Sequence, residues 1–509
     1  MKKIIAAMFT MALMISCSGG KNEQAASKDM LTVIAVREPS LLDPSLTNNS
    51  ASSEIMKQVY DTLFNQDFNT MEAIPSLAER YEFENNEQGQ PTRLRLFLKQ
   101  GAKFHNGEEF TAADVKFTIE RAIASPHIGH ISGSISGVET INDYEVLLTL
   151  KYPFAPILNN LAHTAMSIMN EKAVLDGGDS YPQNPVGTGP YKFVRWVAGN
   201  RIELSRWDNY YGEKPAIKDI TFRYIADPAT ALLELETGGA DILFSLMPQD
   251  VKRVEDDSNL QLLRAKDLRL NYIGFNVRKH PFNDVRVRQA IAHAIDMPQL
   301  VNTVYQGVGS PGRAPISATV FASAANELPQ YEYNLDKARQ LLAEAGFPNG
   351  FSTTITTSEA ANLRDTAEIL QNMLARINIT ANIEIIEWAA YLAMTNRGEH
   401  EIFIHGWTTV TGDPDYGLEI LSNRSIINTS GNKSFWSHPE VDRLLDAGRT
   451  ETDIRQREQL YLEAQRIIHA NVPWVYTQEG EVTVGVRSNV RGFVINPAGH
   501  HPLWTVYFE

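Results

Sequence analysis

Few residues in this chain of 509 are spaced for covalent chemistry. The single cysteine, Cys17, can form no internal disulfide and supplies no thiolate cluster for zinc or iron. Gly307-Val-Gly309-Ser-Pro-Gly312 carries the letters of a dinucleotide-binding turn. Such a turn must follow a strand and open a helix, whereas this one follows a helical run from Pro298 to Tyr305 and contains Pro311. Gly187-Thr-Gly189-Pro lacks the Lys and Ser/Thr of a phosphate-cradling loop. His400-Glu-Ile-Phe-Ile-His405 is one residue too long for a helical zinc pair, and as a strand it turns its imidazoles to opposite faces. His500-His501 is a tandem pair that could touch a metal or an anionic ligand, or lie in a surface loop. No Gly-x-Ser-x-Gly is present. The chemistry on offer is binding, so no enzyme, no cofactor and no resident metal are expected.

The elements that must position a binding site belong to an ordinary globular protein, 43% hydrophobic and 21% charged. The length exceeds what one core supports, which predicts two or three lobes. A formal charge of −15 argues against nucleic-acid binding. At the start, Met1-Lys2-Lys3 precedes an apolar stretch from Ile4 to Ile15, shorter than the roughly 20 residues that span a bilayer and suited to a signal peptide. Met14-Ile-Ser-Cys17 and the polar run after it resemble a bacterial lipobox. That resemblance implies removal of residues 1–16, acylation of Cys17, and a tether over residues 17–30. Each buried lipid CH₂ adds about 0.8 kcal/mol, so several chains anchor an exported body.

Within the body, Leu31 to Val36 reads as a buried strand and Ser53 to Phe64 as an amphipathic helix. Arg93 to Leu98 and Tyr144 to Leu150 read as strands. Thr111 and Asp114 resemble a capping box opening a helix with apolar face Val115, Ile119, Ala122 and Ile123. From 335 to 405, helices and strands alternate: helix Leu335–Ala345, strand 351–357, helix 362–377, strand 379–388, helix 389–396 and strand 401–405. Alternation of this kind predicts an α/β lobe that binds ligand at the carboxyl ends of its strands, near Gly406-Trp407-Thr408-Thr409. Two helices follow, near 438–447 and 452–470.

Four segments together resemble the solute-binding lipoproteins of ABC importers for peptides, nickel and oligopeptides. They are Phe104 to Arg121, Asn184-Pro-Val-Gly-Thr-Gly-Pro-Tyr-Lys-Phe193, Arg206-Trp-Asp-Asn-Tyr-Tyr-Gly212, and Asn276 through Asp296. The resemblance covers about 31–509 and implies an α/β, periplasmic-binding-protein-like fold, in which two main lobes close on a ligand about a hinge and a third, smaller lobe is attached. It implies a discontinuous lobe I (31–66, 184–272 and 478–509), lobe II (67–183) and lobe III (273–477). It further implies a monomer that captures short peptides, glutathione among the options, between lobes I and III and passes them to a membrane permease. Nickel or a metallophore is the alternative cargo within the same family, and an exported hydrolase or chaperone is a third class.

In the family's dipeptide binders an acid three residues after the Gly-Trp tryptophan holds the peptide ammonium, but here that position is Val410. Their carboxylate-binding Arg in the segment near Thr357 is also missing, Arg364 being the nearest basic residue. The pattern Gly-Trp-Thr-Thr-Val-Thr-Gly-Asp-Pro-Asp-Tyr-Gly-Leu is closer to the glutathione and longer-peptide branch. It makes Trp407 a stacking platform beside Thr408, Thr409 and Tyr416, with Asp413 or Asp415 free to meet an ammonium or to cap the next helix. Thr47, Asn48 and Asn49 match the lobe I contact loop. Arg269, Asn271 and Tyr272 lie near a lobe crossing, and Arg313 lies in a Gly/Pro loop.

Overall fold

The computed structural model describes residues 29–509 apart from 36, 48 and 428–430. The expected signal peptide, Cys17 and Asn48 lie outside the described residues. The architecture is α/β. A mixed sheet of 11 strands forms the backbone of the molecule, and a separate antiparallel sheet of 4 strands stands beside it.

Two long strands, Leu260–Phe275 and Trp474–Arg487, run antiparallel through the centre of the large sheet. On one side Ile402–Thr408 pairs antiparallel with the first of them and parallel with Ser352–Ser358, which pairs parallel with Thr380–Ile386. On the other side Ile242–Phe244 continues to Met30–Ala35, a strand parallel to both of its neighbours. The two long strands join separate cores. Val484 and Val486 pack with Leu31, Phe222 and Val490, whereas Ile273, Phe275 and Val475 pack with Ile355, Leu370 and Ile402. Their pairing shifts register between Lys266 and Leu270, and a shift of this kind bends and twists a strand.

The four-stranded sheet (Ala78–Glu84, Arg93–Leu98, Glu145–Leu150, Ile135–Asn142) has its own core under the helix Ala112–Ala124. Arg121 on that helix grips Asp43, a carboxylate only 1% exposed, through two nitrogens at 3.1 and 2.9 Å. Toward the other half of the molecule, Gln66 Nε2 and Asn159 Nδ2 donate to Thr411 O at 2.9 and 3.2 Å. Ala155 N–H donates to Arg449 O at 2.8 Å, and Met71 sits in a cluster with Leu268, Phe403 and Leu418. The small sheet is thus clamped against both ends of the large one.

Local chemistry explains where elements begin and end. The first helix spans Ser50–Val59, starting before Ser53 because the Asn49 carboxamide accepts the Ser52 N–H at 2.8 Å. Asp114 accepts the Thr111 N–H at 3.0 Å, as a capping box requires. The strand expected to end at His405 continues to Thr408, because its ladder with the long strand persists to the Arg269–Thr408 pair. Gly406, Trp407 and Thr408 are therefore strand residues with fixed facing. Ile123, assigned to the apolar face, is 37% exposed, while Val115, Ile119 and Ala122 are buried.

Ile119→Ala should destabilise the protein by about 2–5 kcal/mol through lost burial and a residual cavity. Ile123→Ala should stay within about 0.5 kcal/mol. Urea unfolding of the two variants, followed by circular dichroism, separates these outcomes.

Candidate functional site

Strand pairing decides which side chains meet. Opposite residues on neighbouring strands share a face, so Trp407 stands with Leu270, His405 and Tyr272, while Thr408 and Gly406 stand with Arg269 and Asn271. On the first face, Trp407 stacks on Tyr416 with centroids 5.4 Å apart and planes 13° from parallel. The two rings border a cleft of about 600 Å³ between the large sheet and the four-stranded body. Tyr152, Phe154 and Ser134 form the far wall, and Asp415, Glu419 and Arg449 the near floor.

Asp413 and Asp415 have partners already. Asp413 caps the helix Pro414–Glu419 by accepting the Asp415 N–H at 2.9 Å, and its oxygens take Arg457 Nη1 and Nη2 at 2.8 and 2.6 Å. Asp415 pairs with Arg449 Nε at 2.9 Å, and Glu419 lies 3.3 Å from Arg449 Nη2. All four side chains of the two aspartate pairs are 5–7% exposed. The expectation that either aspartate is free to meet a ligand ammonium is corrected accordingly: a carboxylate this deep must be paired, and the guanidiniums supply that pairing. Of the two, only Asp415 borders the cleft. Arg449 and Arg457 come from the helices Pro439–Thr450 and Ile454–Asn471. No local signal marks them, for they are ordinary arginines on amphipathic helices far along the chain.

Three polar atoms on the cleft lining are buried with no hydrogen-bond partner: Ser134 Oγ, Trp407 Nε1 and Arg449 Nη1. All three atoms are closed off from solvent, and Arg449 Nη1 lies 3.7 Å from Asp446 Oδ1. Asp415, Glu419 and Asp446 surround Arg449, so its charge is already balanced. A floor whose charges are already paired suits an uncharged ligand group more than an ion.

The remaining candidates scatter. Thr409 is buried, its N–H on Leu268 O at 3.0 Å. Thr47 Oγ1 accepts from Asn49 N and Nδ2 at 3.2 and 2.7 Å, so both residues shape the entry to the first helix. Tyr272 is fully buried and stacks on Trp474 at 3.8 Å, which makes it core rather than a contact surface. Arg269 is partly buried in the middle of its strand, opposite Thr408, Asn271 is buried beside it, and Arg313 and Arg364 are exposed. His405 is packed among Trp388, Tyr391 and Tyr272. His501 lies against Phe244 and Phe493, with Nδ1 accepting the Asn496 N–H at 3.1 Å. The tandem histidines are thus interior rather than surface residues. Among the described residues no group of three or more His, Cys, Asp or Glu is arranged to hold a metal ion.

A two-ended sheet bent at a pair of crossing strands, with a cleft at strand ends, defines a solute-binding protein. The chain belongs to the bacterial extracellular solute-binding proteins of family 5, whose middle-region model matches residues 72–428. It is 29% identical to a dipeptide-binding protein of Escherichia coli over 95% of this chain and 96% of that one. Identity is likewise 29% to heme-binding protein A of Haemophilus influenzae, covering 95% and 93%. It is 30% to glutathione-binding protein GsiB of Pectobacterium atrosepticum, covering 93% and 92%. The solved structure of the periplasmic binding protein DppA of Helicobacter pylori, in complex with the peptide STSA, superposes with a TM-score of 0.79 at 30% identity over 96% and 99% of the chains. Among the described residues no helix is long and apolar enough to cross a membrane.

Arg457→Ala should cost about 3–5 kcal/mol by stranding Asp413, against less than about 1 kcal/mol for Arg443→Ala, whose partner Glu440 is exposed; denaturant titration compares them. Burial pushes His400 down to about 4, and His405, His500 and His501 to about 3. The unfolded chain then takes up these protons first, so the stability these four groups contribute is full above about pH 6.5 and falls as pH drops toward 3. Each imidazole contributes up to about 2 kcal/mol of that loss at pH 5. Glu54 and Asp415, pushed up by burial to about 8 and about 7, shift stability the other way. Melting curves from pH 7 to pH 5 should therefore lose less midpoint for His500→Asn than for the parent chain, because the variant lacks one of these imidazoles.

Proposed function

We propose that this protein is a lipid-tethered receptor that captures short peptides and delivers them to the permease of an ABC importer. What supports the reading is the match to family 5 and its peptide-bound relative, together with the aromatic cleft of about 600 Å³ at Trp407 and Tyr416, whose walls come from residues 129–160 and 407–449. A peptide main chain presents regularly spaced carbonyl acceptors, and stacked rings tolerate varied side chains beside them. Glutathione shares this amide chemistry and is included in the ligand class. The division into lobe I (31–66, 184–272, 478–509), lobe II (67–183) and lobe III (273–477) supplies the mechanism. In this reading lobes I and III rotate about the two crossing strands, the cleft at Trp407 opens on the lobe II side of lobe III, and the closed form is what the permease recognises. Acylation of Cys17 holds the receptor at the membrane.

Purification without refolding, followed by mass spectrometry of released small molecules, should yield short peptides. Those peptides, at 100 times their dissociation constant, should stabilise the protein by about 2.7 kcal/mol in thermal shift. Trp407→Ala should weaken them by roughly tenfold, the scale of a lost aromatic contact. Stabilisation by metal complexes alone would exclude the peptide reading. Cys17→Ala should move the protein from the membrane to the soluble fraction and abolish labelling by a palmitate analogue.

A further inference from the structure

The break in the central ladder is filled by one loop and held by one carboxylate. Lys266 pairs with Glu481 and Leu270 with Glu479, so Asp267, Leu268 and Arg269 lie opposite Gly480 alone. The bulged carbonyls bond outward instead of across. Leu268 O accepts the Thr409 N–H at 3.0 Å, and Asp267 O lies 2.7 Å from Ser317 Oγ. Position 480 has no room for a side chain, since a Cβ there would fall 2.3 Å from Asp267 Oδ1.

Glu479 ties the two sides of this break together. Before the break, Lys266 Nζ reaches its carboxylate at 2.9 Å from the half of the sheet whose core holds Phe222 and Val484. From the other half come Ser310 Oγ at 3.3 Å, Ser317 Oγ at 3.0 Å and the Ala318 N–H, on a loop whose Ile316 packs with Tyr272 and Trp474. The Glu479 side chain is 7% exposed, so its charge keeps this position only while those donors surround it. Beside it lies a cavity of about 700 Å³ lined by Lys266, Glu479, Ser310, Ala318, Ala325 and Tyr331. Close-packed interiors yield little, and this space leaves the crossing room to change angle. It is separate from the cleft at Trp407: Ser310 pairs along one edge of the two long strands, and the strand of Trp407 flanks the other.

We propose that the Glu479 carboxylate is a hinge latch, which limits how far the crossing strands bend before a ligand arrives and so tunes the affinity for every ligand alike. This rests on the closure of lobes I and III about those strands. A latched chain samples few angles when empty and loses little freedom on binding, whereas an unlatched one loses more. Glu479 touches no ligand in this scheme and acts as a positioning residue.

Cys17 is the only cysteine, so Cys17→Ser combined with Ser258→Cys and Asn372→Cys places one spin label on each half, at exposed sites. Double electron–electron resonance then reads the distance between the halves. Lys266→Met, at a side chain 54% exposed, removes the bond across the break and leaves the buried donors in place. Its unliganded distance distribution should be wider than the parent's, and that of Glu479→Gln wider still. Calorimetry with tripeptides that differ only in the central side chain (Ala, Leu or Lys) should show, for each variant, one common loss of affinity of about fivefold or more. If both distributions stay as narrow as the parent's in protein shown to be folded by circular dichroism, the latch is wrong. Should Glu479→Gln not fold, Lys266→Met decides alone. Losses that differ between tripeptides would make Glu479 a ligand contact and overturn the latch. If the parent binds tripeptides with no change of distance, closure fails and the latch with it. If no tripeptide binds, the peptide reading falls, and the unliganded distributions still decide the latch.

Discussion

Everything in this molecule hangs on the ladder between Leu260–Phe275 and Trp474–Arg487. These strands pass from one core to the other, so the two halves of the large sheet are a single hydrogen-bonded object and yet two packing units. A register shift sits between Lys266 and Leu270. There the ladder is interrupted, and side chains take over its work. The Glu479 carboxylate, 5% exposed, accepts from Lys266 Nζ at 2.9 Å, Ser317 Oγ at 3.0 Å and the Ala318 N–H. It fastens the loop after Pro311 to the crossing. A bend supported by side-chain bonds can change angle at less cost than a continuous ladder, which suits a protein that must open and close.

The second constraint is the burial of acids next to the cleft. The turn after Trp407 carries Asp413 and Asp415 into the interior, and each is matched by one guanidinium from the following helices. The pairs hold Tyr416 under Trp407 and so preorganise the aromatic platform. Arg449 also offers its carbonyl to Ala155 of the four-stranded body, which links the platform to the opposite wall of the cleft. The charge balance of the cleft floor is thus a by-product of its architecture.

Much of this was legible in the chain. Hydrophobic periodicity located Leu335–Glu344, Ser352–Ser358, Ala361–Ala375 and Thr380–Ile386 within a few residues, because each buries one face against a shared core. The Gly-Trp segment at a strand end marked the cleft, since carboxyl ends of strands are where such folds leave a crevice. What was not legible were the partners. Nothing near Asp413 in sequence announces Arg457, and nothing near Tyr272 announces Trp474, because those contacts join elements separated by long stretches of chain.

Residue type and local spacing determined the class of this protein: most of its secondary structure and its membership of a solute-binding family. These depend on short-range physics, namely helix and strand periods, capping and the length of an apolar run. Tertiary structure alone decided which charges are available to a ligand. A carboxylate and a guanidinium neutralise each other only when folding brings them within about 3 Å, and that distance is set by strand register and helix packing. Asp413, an apparent ligand contact in the sequence, became a structural cap. Tyr272, a candidate contact by its position in the chain, became core against Trp474.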